Sequence, residues 1–101
     1  MIECQIELIA EEISQDEYGQ EIETETTTQI FANVQSASAS EFFQGYQNGI
    51  KPAFTFLILS AEYHGERIVR YDGCRYSVYR TYHRDIDHIE LHCEQQEGTK
   101  S

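Results

Sequence analysis

Residues 2–10 alternate one for one. Ile2, Cys4, Ile6, Leu8 and Ala10 lie on one phase, and Glu3, Gln5 and Glu7 on the other. A period of two sends successive side chains to opposite faces, so the stretch is expected to be a strand with one dry and one wet face. The same signature returns along the chain. Residues 20–36 read as a second extended stretch. Glu21, Glu23 and Glu25 share one face there, and Ile22, Thr24 and Thr26 the other. The two stretches are separated by the polar, Gly-containing run Gln15-Asp16-Glu17-Tyr18-Gly19-Gln20, which reads as a turn. Three carboxylates at spacing two stand about 7 Å apart. That suits a solvated or partner-facing surface better than a catalytic pair.

The second half continues in strands and reads as a meander. Residues 53–59 are nearly apolar on both phases, as in a central strand. A short strand follows at 67–71. Asp72-Gly73 between two β-prone runs is a two-residue hairpin signal. The next strand, 74–83, carries Tyr76, Val78 and Tyr82 on one phase and Tyr79 on the other. In the last strand Ile89, Leu91 and Cys93 alternate with His88, Glu90 and His92. The tyrosines are expected in core and rim, where a ring is buried and its hydroxyl stays wet. Residues 96–101 are polar and expected to fray.

Between these runs the pattern changes. Ser38-Ala39-Ser40-Glu41 fits a capping box, with Ser38 as N-cap and Glu41 reaching back. Phe42, Phe43 and Tyr46 follow at helical spacing. Asn48-Gly49 is a stop signal, and Pro52 forbids continuation. A helix of about ten residues depends on packing or on a partner, and Gly45 weakens it by up to about 1 kcal/mol relative to Ala. With its small, polar flank at 36–40, this helix is the expected moving part; the other expectation is a fixed helix plugging one end of a barrel. The fold class is therefore mainly β, a small antiparallel β-barrel of about six strands with one short helix in an inter-strand loop. At 101 residues it makes one domain, 1–101, with an insertion at about 36–51.

Charge narrows the function classes. Residues 1–50 hold ten acids and no Lys or Arg, and the whole chain carries −11. Such a surface repels phosphate and anionic lipid, which disfavours attractive nucleic-acid binding. The acid serves solubility, faces a basic partner, or lines a DNA conduit where repulsion is useful. No apolar run approaches the roughly 18–20 residues that span a bilayer. The opening Met1-Ile2-Glu3-Cys4 lacks a signal-peptide pattern, and the three cysteines (Cys4, Cys74, Cys93) form no Cys-x-x-Cys, so a reduced cytosolic setting is expected.

Two chemical constellations compete with plain structural roles. His88, Glu90 and His92 point one way on a strand, and His-x-His can seat Zn²⁺. Three donors in a row do not converge on a tetrahedral ion, so a wet strand face is the expectation. Cys74 with His64 or His83 is the one imaginable nucleophile and base, and nothing orients such a base. No phosphate loop or nucleophile elbow occurs. The expectation is no catalytic, cofactor or metal residue.

Several segments are familiar as an ordered set. They are Asp16-Glu17-Tyr18-Gly19-Gln20-Glu21, Ile30-Phe31-Ala32-Asn33-Val34, Ser40-Glu41-Phe42-Phe43, Gly49-Ile50-Lys51-Pro52, Gly65-Glu66-Arg67-Ile68-Val69, Tyr76-Ser77-Val78-Tyr79-Arg80-Thr81-Tyr82 and Asp87-His88-Ile89-Glu90-Leu91. In this order and spacing the chain resembles the small head–tail adaptor proteins of tailed phages and prophages, also called joining, head-completion or stopper proteins. The resemblance runs from about Glu7 to Gly98. Cys74 departs from it, standing where a basic residue is expected after the Asp-Gly turn.

The resemblance implies a structural, non-enzymatic virion-assembly protein without cofactor. Such a β-barrel docks as a ring beneath the portal (connector) protein and extends or closes the DNA channel of the filled head. It also presents a surface to a tail-completion or tail protein. The implied places are the host cytoplasm during assembly and the neck of the virion. The implied partners are portal, tail and further copies of itself, the isolated chain being compatible with a monomer. DNA passes nearby without specific binding, and no membrane is involved. In the family a segment between two barrel strands changes shape on assembly. By position that segment is 36–51, whose candidate assembly residues are Ser38, Glu41, Phe42, Phe43, Tyr46 and Gly49. Glu21, Glu23 and Glu25 form the candidate face toward a partner or the channel. The alternative function is an acidic DNA mimic that occupies a basic DNA-binding site.

Overall fold

The computed structural model describes residues 2–95; the tail expected to fray lies outside them. Six antiparallel strands close into a barrel: β1 (Ile2–Gln15), β2 (Glu21–Ser36), β3 (Pro52–Leu59), β4 (Ile68–Tyr71), β5 (Cys74–His83) and β6 (His88–Gln95). One helix, α1 (Ala39–Gln47), lies between β2 and β3.

Pair register explains the core. Residues directly opposite on neighbouring strands point to the same face. Ile6 faces Ile30, Leu8 faces Val69, Val34 faces Phe56, and Phe56 faces Leu91. Every alternating apolar phase therefore meets its neighbour's inside the barrel, and these residues are buried there with Ala32, Ile58, Ile89 and Cys93. At one end Phe54 packs edge-on against Tyr71 and Tyr76, both centroids 5.3 Å away. Cys93 serves as a small core hydrophobe, and burial pushes its thiol's pKa up.

The strand order around the barrel is β1-β2-β3-β6-β5-β4, which corrects the expected meander. β4, β5 and β6 follow one another, but β3 lies beside β6 and β4 closes against β1. This is a Greek-key order. The chain reaches it by crossing from β3 to β4 over residues 60–67, where a 3₁₀ turn (Ser60–Glu62) is followed by the half-buried Tyr63, which packs on the core. The Asp72-Gly73 turn forms as expected, with both residues at positive φ.

Two further departures place the functional surfaces. First, β1 and β2 outrun the barrel. They pair along their full length, whereas β4 pairs with β1 only at 7–9 and β3 with β2 only at 33–36. The far part of this hairpin, 10–15 with 21–26, is a two-stranded arm about 20 Å long, and the molecule's long axis reaches 50 Å. Second, β5 carries a bulge. Val78 faces Cys93 and Arg80 faces His92, so Tyr79 is the extra residue. A bulge flips the phase that follows it. Tyr82, expected on the face of Tyr76 and Val78, is exposed, while Tyr79 keeps the outer phase and meets α1.

Candidate functional site

α1 starts and stops as its sequence dictates. Ser38 Oγ accepts the Glu41 N–H at 3.1 Å. At the other end Gly49 takes φ +77, a conformation glycine adopts without strain. The N–H groups of Ile50 and Gly49 then return to the carbonyls of Gly45 and Tyr46, closing a Schellman motif.

The capping box forms only by half. Glu41 does not act as the reaching-back residue; its carboxylate turns to the barrel. Tyr79 Oη donates to Glu41 Oε1 at 2.5 Å, and His92 Nδ1 lies 3.0 Å from the same oxygen. Thr55 Oγ1 is 3.3 Å from His92 Nδ1. On the far side of the ring, His92 Nε2 lies 3.0 Å from Glu90 Oε1, and Arg84 Nε lies 3.1 Å from Glu90 Oε2. Thr55 and His92 are buried although they sit on the barrel's outer phase. The helix therefore lies on the outer wall over β3, β5 and β6, and the expectation of an end plug is corrected. A chain of polar contacts, Arg84–Glu90–His92–Glu41–Tyr79, is its latch.

The latch titrates. Burial alone raises the Glu41 pKa, but hydrogen bonds from Tyr79 and His92, with the charges of His92 and Arg80, outweigh it and lower it overall. Burial and the bond to Glu41 raise that of Tyr79. A carboxyl lowered in the folded state stabilises it fully above the ordinary carboxylate range of about 4.3, and loses that contribution as pH falls through the lowered value. Glu7, lowered by Arg70, and Asp85, lowered by His88, add to the same acid sensitivity elsewhere. Acidification from pH 6 should therefore free α1 only below this range. In Glu41→Gln the α1 resonances, followed by NMR, should lose that pH dependence while those near Glu7 and Asp85 keep it.

Gly45 has a packing reason that its low helix propensity hides. A Cβ there would stand 2.5 Å from Pro52 Cγ and 2.8 Å from Cδ. Gly45→Ala raises intrinsic helix propensity, yet we expect a net loss of about 1 kcal/mol in chemical denaturation as the helix is pushed off Pro52. A gain in stability would contradict this packing.

What α1 turns away from the barrel is apolar. None of its residues is buried. Phe43 and Tyr46 are 69% and 66% exposed, and Phe42, stacked on Tyr46 at 6.3 Å, is 45% exposed. A surface helix ordinarily buries this face. Here the polar side is docked and the aromatic side is free.

The second candidate surface lies on the arm. Glu21, Glu23 and Glu25 are exposed on one phase of β2, opposite Gln15, Ile13 and Glu11. Four further acids, Glu11, Glu12, Asp16 and Glu17, sit on the arm or its tip, and no Lys or Arg does. Glu25 reaches back to Arg75 of β5 at 2.8 Å, beside the two-bond pair of Arg70 with Glu7. Two arginines thus neutralise the arm's root.

The remaining constellations dissolve in space. His88 Nδ1 is taken by Asp85 at 2.9 Å, and both ring nitrogens of His92 face carboxylates. Among the described residues no group of three or more His, Cys, Asp or Glu is placed to hold a metal. Cys74 and His83 stand at opposite ends of β5, and His64 precedes β4 at the end away from the Asp72-Gly73 turn. Tyr79, Thr55 and the inward turn of Glu41 were not legible beforehand. The sequence did single out Glu41, by its spacing from Ser38, and Glu90 with His92, as neighbours on one strand face, but not their meeting.

Comparison with protein-family models, with curated proteins and with solved structures finds no match to this chain.

Proposed function

We propose that this chain is a structural head–tail adaptor of a tailed phage or prophage. It docks as a ring beneath the portal, extends and closes the DNA channel of the filled head, and offers the tail its attachment surface. The observation that carries the reading is α1, a short helix inserted between barrel strands, latched by polar groups and presenting an unburied aromatic face. A segment built this way can exchange one set of contacts for another, because its apolar side chains, already 45–69% exposed, lose little on leaving the barrel. The segmental resemblance given above supplies the biological setting, and the acidic arm suits it. Clustered carboxylates keep packaged DNA off a channel wall, or pair with a basic portal surface. The barrel itself carries no chemistry in this role.

Deleting the gene from its parent phage or prophage and imaging an induced lysate by electron microscopy tests the proposal. Free tails beside tailless, DNA-leaking heads are the expected result. Normally joined particles would remove the joining role and bring forward the DNA-mimic reading, which the arm's unmixed acidity favours. Reversing Glu21, Glu23 and Glu25 to Lys should cut joined, infectious particles on the order of tenfold or more, since like charges across an interface cost several kcal/mol. Because Glu25 also holds Arg75, reversal of Glu21 and Glu23 alone should suffice. Full infectivity with a folded triple variant would contradict the role of this face.

A further inference from the structure

The barrel is closed, but the arm that outruns it has open edges. β1 pairs with β4 only at 7–9, and β2 with β3 only at 33–36. Among the described residues no strand lies on the other side of 10–15, and Glu11 onward is exposed. Every second residue of such an edge turns its N–H and C=O outward. Proteins ordinarily blunt an edge with Lys, Pro or a bulge. Residues 10–15 hold no Lys or Pro, and their register with 21–26 is unbroken. A two-stranded ribbon is marginal by itself and gains from a third strand. Glu11 directly opposite Glu25 sharpens that need, since like charges across a pair destabilise it.

Where β1 leaves β4, this edge borders a cleft of about 320 Å3, lined by 9–12 of β1 and by 64–68 leading into β4. Glu66 lines it, and at 7% exposure it is the one buried carboxylate among the described residues. Its Oε1 accepts the His64 N–H at 2.6 Å, while Oε2 takes no hydrogen bond or ion pair among those residues. A buried charge ordinarily has a counter-charge. Glu11 and Glu12 line the same cleft, against the exposed Arg67. An open strand edge and a cation-seeking cleft thus meet in one fork of the fold.

We propose that this fork receives an extended, basic segment of a partner protein. The segment adds to β1 at 10–15 as a third strand of the arm, and one of its Lys or Arg side chains enters the cleft against Glu66. Charge chooses the occupant. Both strands of the arm lie within residues 1–50, which hold no Lys or Arg, so arm-to-arm pairing of two copies sets acid against acid. Nucleic acid is repelled for the same reason. A basic strand supplies backbone partners for the edge, counter-charge for the arm and a cation for Glu66 together. The cleft also decides between the two edges, because the open edge of β2 borders no buried carboxylate. The pairing rests on this chemistry; the adaptor reading adds only that the segment belongs to a neighbour in the neck.

NMR titration of the whole chain at low salt with a ten-residue peptide alternating Lys and Val tests this. Amide shifts should move at 10–15 and 64–68, and the outward amides of 10–15 should gain protection from exchange. Methylating alternate backbone nitrogens of the peptide keeps its charge and removes its donors, and should weaken binding tenfold or more. Glu66→Gln keeps an acceptor for His64 and removes the charge, and should weaken binding about tenfold. Equal binding of the methylated peptide would reduce the effect to general attraction by an acidic chain and overturn the proposal. So would shifts confined to β2, no binding at millimolar peptide, or concentration-dependent shifts at 10–15 without peptide, which would make a second copy the occupant. The joining role fails separately. If the peptide adds at the fork but gene deletion leaves joined particles, the docking edge stands and the adaptor reading falls. If deletion blocks joining and the peptide does not bind, the reverse holds.

Discussion

Replacing Phe56 with alanine should cost about 3–5 kcal/mol, the usual range for truncating a fully buried aromatic ring. Phe56 is 0% exposed. It faces Val34 on one side and Leu91 on the other, and its ring stands 5.5 Å from that of Tyr71 and 6.0 Å from that of Phe54. Removing it opens a cavity where β2, β3 and β6 meet, in a closed barrel whose strands cannot slide together to fill it. A domain of this size holds about 5–15 kcal/mol in all, so the loss is a large share of the total and urea denaturation should show a midpoint moved far toward low denaturant. Leu59→Ala, on the same strand but on the outer phase, should stay within about 0.5 kcal/mol. A Phe56→Ala loss below about 1 kcal/mol would mean that the core does not centre on this residue.

Replacing Glu41 with alanine should free the helix while leaving the barrel folded. The substitution strips Tyr79 Oη of its acceptor and His92 Nδ1 of one carboxylate, the His92 side chain being only 9% exposed. Charged, partly buried hydrogen bonds contribute about 1.5–3 kcal/mol, and a loss of about 2 kcal/mol is expected. Its signature should be local. Resonances of 39–47 should move to random-coil positions, while those of β1, β2 and β4 stay in place. Glu41→Gln keeps an acceptor for Tyr79 without the charge, and should fall between wild type and alanine. If Glu41→Ala leaves α1 docked, the latch is not what holds it.

What the sequence reveals here is whatever is set locally. The alternation at Ile6 and Leu8, or at Ile89, Leu91 and Cys93, names core residues because a strand's period needs no knowledge of its neighbours. Ser38, Gly49 and Asp72-Gly73 mark their elements because caps and turns are made within a few residues. The missed features are all pairwise and distant. The place of β3 beside β6 depends on closure. The bulge that turns Tyr82 outward depends on how β5 meets β6. β1 runs on through Glu11, Glu12 and Ile13 because β2 pairs with it, although the alternation has already failed there. Glu41 fits a capping box by spacing, and only the nearness of Tyr79 and His92 draws it away. The apolar outer phase of β3 read as central-strand burial, whereas the barrel covers Thr55 with α1 and leaves Leu59 open.

The central claim is that a rigid barrel carries a separately releasable helix. Native-state hydrogen exchange on the isolated protein tests it most directly. The helical amides of 42–47 should exchange through a local opening several orders of magnitude faster than those of β3 and β6, and faster still in Glu41→Ala. If they are as well protected as the barrel strands and open only with them, α1 is a fixed part of the fold and the account is wrong at its centre.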